Sequence, residues 1–166
     1  MKIGLCAVAL CVAAVSTVGC SDTVQATSAC SNVENQTQSV RREAFLPCAS
    51  EMLDALEGLA PLTQASVKGN KQARLDGEAA LRHVMPMLEQ AGGDRLLERS
   101  ADAVLSDLRV EIHNTVAKYR AFYALTILPD YHPLAGKARY EAQLELDGAT
   151  RHFEAARTIY KRLHQG

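Results

Sequence analysis

From residue 40 onward, apolar residues recur at three- and four-residue intervals, the period of a helix with one buried face. Phe45, Ala49, Met52, Leu56 and Leu59 form a first stripe that runs up to Pro61, with Pro47 suited to the first turn of the helix. Gly69-Asn70 then punctuates the chain. A second stripe follows in Ala73, Gly77, Leu81, Val84, Leu88 and Ala91. Pro86 lies inside it and predicts a kink or a break, because proline lacks the N–H and its ring crowds the preceding turn. Ala91-Gly92-Gly93 ends the second helix, and Asp94 stands ready to cap the next. The third stripe reads Leu97, Ala101, Val104, Leu108, Ile112, Thr115, Tyr119 and Phe122, a helix expected to be the longest and to reach Pro129. The fourth, from about Lys137 to Gln165, carries Ala142, Leu146, Ala149, Phe153, Ala156, Tyr160 and Leu163. No stretch alternates with the two-residue period of a strand. The pattern predicts an all-α, four-helix bundle-like domain over residues 40–166, with alanines letting neighbouring helices approach closely.

The first residues follow another pattern. Lys2 precedes a run from Ile3 to Ser21 without a charged residue, the arrangement of a secretory signal. The run is rich in alanine, serine and threonine and is barely long enough to cross a bilayer. It ends in Thr17-Val18-Gly19-Cys20. That tetrapeptide resembles the lipobox of bacterial lipoproteins, where a small residue precedes an obligatory cysteine; Thr17 stands where the class usually has an aliphatic residue. The resemblance covers only the first twenty or so residues. It implies a signal peptide over 1–19, cleavage before Cys20, a diacylglyceryl thioether on Cys20 and acylation of its amino group, palmitate being the usual acid. Anchoring would then come from the acyl chains, each buried methylene contributing about 0.8 kcal/mol. An ordinary secreted protein and an uncleaved helical anchor are the competing readings. By resemblance to enterobacterial lipoproteins, Ser21 after the cysteine implies sorting to the outer membrane, facing the periplasm, with Asp22 one place too late for retention.

Residues 20–39 are dominated by Ser, Thr, Gln and Asn, too polar to offset their ordering entropy by burial, and read as a lipidated tether. Cys6 and Cys11 leave with the signal, and Cys20 takes the lipid, so Cys30 and Cys48 remain. In an oxidising compartment two remaining cysteines most simply form a disulfide, worth roughly 3 kcal/mol in the chain-entropy account. Two free thiols are the other reading; a metal site lacks partners at ligand spacing.

Charge and composition then narrow the function. The formal net charge of -1 supplies no basic stripe for nucleic acid. Of the histidines, His83, His113, His132, His152 and His164, none follows a glutamate by three residues, as an inward carboxylate-bridged metal site would need. His152 precedes Phe153 of the core stripe and is expected to face outward. Glu141 and Glu145 share a face beside Arg and Lys, as solvated pairs do. No nucleophile elbow occurs, and no Cys-x-x-Cys-His, so neither an enzyme nor a covalently held haem is expected. Met52 and His164 loosely resemble the axial-ligand placement of four-helix b-type cytochromes, which keeps a haem or small-ligand carrier as the alternative.

The sharpest candidate contact region is the connection before the fourth helix. Tyr119, Phe122, Tyr123, Tyr131 and His132 gather there, and Pro129 and Pro133 stiffen it. Exposed rings on a stiff loop would begin a protein interface; rings that plug the end of the bundle are the plainer reading. The expectation is a membrane-anchored, periplasm-facing, non-catalytic interaction or accessory protein of the cell envelope, such as a pilotin-like helper or an immunity factor. It needs no cofactor. Its partners would be the bilayer, through Cys20, and an envelope protein.

Overall fold

A computed structural model describes residues 29–31, 33, 38–92, 102–127, 132 and 134–165, with the backbone alone for 38–42. This described part is 88% helical, in four helices and without a strand. They are α1 (Gln38–Val67), α2 (Lys71–Gln90), α3 (Ala103–Leu125) and α4 (Ala135–Gln165). The all-α, four-helix reading therefore holds. Residues 1–28, including the signal segment and Cys20, lie outside the described residues, as do Asp94, Leu97, Ala101, Pro129, Tyr131 and Pro133.

One short turn both stops α1 and starts α2. Gly69, at φ 87°, adopts the left-handed conformation that a side chain disfavours. Its N–H donates to the Ser66 carbonyl at 2.9 Å, and the Asn70 N–H donates to that of Ala65 at 3.0 Å. These two bonds satisfy carbonyls that a helix end leaves open. The Asn70 side chain then accepts from Ala73 N at 3.0 Å and caps α2. Asp102, in extended backbone, caps α3 in the same way by accepting from Leu105 N at 3.0 Å.

That cap corrects the expected third helix. α3 spans 23 residues against 30 for α1 and 31 for α4, so it is not the longest of them. The helix starts after Asp102, and the expected stripe holds at Leu108, Ile112, Thr115, Tyr119 and Phe122, with Leu105, Val116 and Tyr123 also turned inward, while Val104 is 44% exposed. The other three stripes are buried as predicted, except for Tyr160, which is half-buried.

The prolines behave differently from the expectation. α1 begins nine residues before Pro47 and continues past Pro61, and α2 continues through Pro86 without a break. All three prolines are exposed. The carbonyl freed one turn earlier in each case lies on the solvent side, where water replaces the lost partner, while the buried face keeps the helix in place.

Packing order follows from the short turn and the shared core. α1 packs on α2 and α4, α3 packs on α2 and most extensively on α4, and α2 and α4 are diagonally opposite. Phe45, Met52, Leu56, Leu59, Val84, Leu108, Ile112, Val116, Tyr119 and Phe122 have almost no exposed surface and fill the centre. Against the large residues of α3, α4 presents Ala138, Ala142, Gly148, Ala149 and Ala156, all buried, which lets the two helices approach closely.

Candidate functional site

Cys30 and Cys48, the pair expected to bond, meet. They form a disulfide with Cα atoms 4.5 Å apart, and both are fully buried. Ala29 N donates to Glu51 Oε2 at 2.8 Å, and Val33 packs into the same core. The segment before α1 therefore turns back along it, and the chain reaches the domain beside the third turn of α1 rather than at its first residue. The polar stretch read as a tether up to residue 39 thus ends earlier: residues 30 and 33 belong to the core, and α1 starts at Gln38.

The candidate aromatic contact region divides. Tyr119, Phe122 and Tyr123 are buried, so these rings fill the bundle and offer no surface to a partner. Phe122 and Tyr123 meet edge to face with centroids 5.0 Å apart. His132 is half-buried, and its Nδ1 accepts from Leu134 N at 3.2 Å, which orders the approach to α4. Tyr131 falls outside the described residues.

Tyr123 belongs to a buried polar node that joins three helices. The Thr63 hydroxyl donates to the Leu59 carbonyl at 2.7 Å and lies 3.1 Å from the Tyr123 hydroxyl. With the Thr63 proton committed to α1, Tyr123 donates to Thr63. Gly77 of α2 makes room for the phenol: a Cβ there would stand 1.8 Å from Tyr123 Oη. Burial raises the Tyr123 pKa, and the Glu78 carboxylate adds to the effect. Burial, with a smaller contribution from Tyr123, pushes Tyr119 up to about 12. Both phenols stay neutral at ordinary pH and serve packing.

One histidine and one of the paired acids link α3 to α4. His152 does not simply face outward: its Nδ1 lies 2.6 Å from Glu111 Oε2, half-buried between α3 and α4. Glu145 reaches Lys118 of α3 at 2.9 Å, and Glu141 pairs with Lys137 on α4 at 3.6 Å. His113 is half-buried, whereas His83 and His164 are exposed. The His164 ring stands edge-on to Tyr160 on the last turns of α4, while Met52 is enclosed in the aliphatic core. Among the described residues no group of three or more His, Cys, Asp or Glu could hold a metal ion.

Among the described residues, an open groove of about 470 Å³ lies between the end of α1 and the middle of α4. Gln64, Val67 and Lys68 form one wall; Gln143, Leu146, Asp147, Thr150 and Arg151 form the other. Gln143 Nε2 donates to Asp147 Oδ1 at 2.8 Å, and the Thr150 hydroxyl turns back to the Leu146 carbonyl at 3.0 Å. Lys68 and Arg151 are exposed, and neither forms an ion pair among the described residues. Tyr140 and Leu144, one turn apart on the outer face of α4, are 67% and 49% exposed. The helical periodicity does not single out Tyr140, Leu144, Lys68 or Arg151. The available signal was that Tyr140 and Leu144 are large apolar residues placed off the buried stripe of their own helix.

No family model, no curated protein and no solved structure matches this chain.

Proposed function

We propose that this protein is a lipid-anchored envelope lipoprotein, held by acylated Cys20 and facing the periplasm, that acts as a non-catalytic interaction or accessory protein. The observation that carries the reading is Gly19-Cys20 at the end of an uncharged run that follows Lys2. The Cys30–Cys48 bridge supports it, because disulfides persist in oxidising compartments such as the periplasm. Among the described residues no helix is long and apolar enough to cross a membrane. The polar groups described above are engaged between helices, which suits a scaffold that presents a surface. Ser21 favours the outer membrane as the destination. A haem carrier is less well supported, since Met52 is enclosed and His164 lies on the exposed last turn.

The test compares the native protein with Cys20→Ala by intact mass and membrane fractionation. Wild type is expected to begin at Cys20, carry the mass of the acyl chains and sediment with membranes; the variant loses the lipid mass and the membrane association. Equal masses and equal partition would sink the anchor. Crosslinking in intact cells, followed by capture of the tagged protein, then asks for a defined envelope partner. A protein that crosslinks only to itself would count against an accessory role.

A further inference from the structure

We propose that the groove between α1 and α4 is the docking site for an acidic, partly apolar segment of the partner protein; the proposal rests on the accessory-protein reading above. Three observations lead to it. First, the groove has cations on both walls, Lys68 from the end of α1 and Arg151 from α4, neither ion-paired among the described residues. Its one carboxylate, Asp147, is already held by Gln143. Two cations against that single carboxylate leave the groove with a net positive charge, and carboxylates complement it. Second, Val67 and Leu146 contribute apolar surface inside the groove, and exposed Tyr140 and Leu144 extend it along α4. A free inorganic anion would leave that apolar surface uncovered, whereas a side chain next to an acidic residue covers it. Third, Gln64 and the carbonyl oxygen of Gln143 offer amide groups of the kind that pair with a peptide backbone. A volume of about 470 Å³ holds several side chains rather than one ion.

The position suits a protein better than a lipid surface. Nineteen helical residues separate Cys48, where the incoming chain is pinned, from Val67 in the groove, a rise of about 28 Å. The groove thus lies well away from the point where the chain comes in from the membrane. α1 carries Glu43, Glu51, Asp54 and Glu57 against Arg41 and Arg42, a net negative balance that does not favour an anionic bilayer.

The test uses the full lipidated protein, extracted in a non-ionic detergent, and a short fluorescent peptide alternating glutamate and leucine. A peptide alternating lysine and leucine serves as the counterpart, and phosphatidylglycerol vesicles as the lipid probe. Anisotropy is expected to report binding of the glutamate peptide only, weakening as salt is raised. Lys68→Glu and Arg151→Glu should each weaken it by about tenfold. Lys161→Glu, exposed towards the other end of α4, should leave it unchanged, with circular dichroism confirming that all variants are folded. Equal binding of both peptides, equal weakening by Lys161→Glu, or no peptide binding would each overturn the proposal. Vesicle binding that Lys68→Glu and Arg151→Glu abolish, with no binding of the peptide, would overturn it in favour of a lipid surface, since binding through the acyl chains alone is indifferent to both variants. Intact mass of the same sample keeps the two readings apart. Lipidated protein that ignores the peptide removes the groove alone; unlipidated protein that binds it removes the anchor alone.

Discussion

Gly77 and Tyr123 show how much one missing methyl group decides. The phenol of Tyr123 occupies the space where a side chain of residue 77 would be, and it needs that position to reach Thr63. Gly77→Ala should therefore destabilise the fold although alanine is the better helix former. Overpacking costs about 1–3 kcal/mol, against a propensity gain of about 1 kcal/mol. Chemical denaturation should show the loss, and Tyr123→Phe in the same chain should restore part of it by removing the closest atom. The tyrosines also set an alkaline limit. A phenol whose folded pKa lies above its unfolded value of about 10 contributes stability that is complete below that pH. The contribution fades as pH rises through the folded value, about 12 for Tyr119. Melting temperatures should thus fall between about pH 10 and about pH 12, and Tyr119→Phe should flatten the fall. An equal slope in the variant would place the alkaline loss elsewhere.

At the scale of the element, the prolines matter most. Pro47, Pro61 and Pro86 are strong stop signals in a sequence, yet each lies within a continuous helix. Intrinsic propensity counts against them by about 3 kcal/mol apiece, and burial of the opposite face outweighs it. Pro86 is exposed between buried Val84 and Met87, so Pro86→Ala should restore a helical hydrogen bond without disturbing the core. The expected result is a higher melting temperature, measured by circular dichroism; a lower one would mean that the proline itself is required for packing. The α1–α2 turn, by contrast, obeys local chemistry: Gly69 supplies the left-handed residue and Asn70 the cap.

For the whole molecule, the disulfide gives the bundle a defined attachment geometry. Because Cys30 is pinned to Cys48, the incoming chain meets the domain partway along α1, and the acidic flank of that helix lies beside the entry point. Reduction should cost roughly 3 kcal/mol, the value for closing a loop of this size in the chain-entropy account. The check is a denaturant midpoint that falls under reducing conditions in wild type and stays put in Cys30→Ser combined with Cys48→Ser. If the wild-type midpoint does not respond to reductant, the bridge adds nothing to folding stability. On the proposed anchoring through Cys20, the same clamp would leave the α1–α4 groove free to meet a partner.

Helix number, the phase of α1, α2 and α4 and the pairing of Cys30 with Cys48 could all be read from the sequence, because periodicity, end caps and cysteine count are local or countable properties. The phase of α3 was legible from Leu108 to Phe122, but its start was misplaced and Val104 with it, because the stripe was carried across Asp102, whose cap begins the helix. The fate of the aromatic residues could not be read along the chain. Whether Tyr119, Phe122 and Tyr123 face water or core depends on what α1 and α2 place opposite them, and Thr63 and Gly77 lie far away in sequence. The groove is equally non-local, since Lys68 and Arg151 become neighbours only when α1 and α4 pack side by side. Sequence alone determined the elements and the Cys20 motif; tertiary structure decided which polar and aromatic groups were buried and which were left open, because burial is a property of pairs of elements and not of either one.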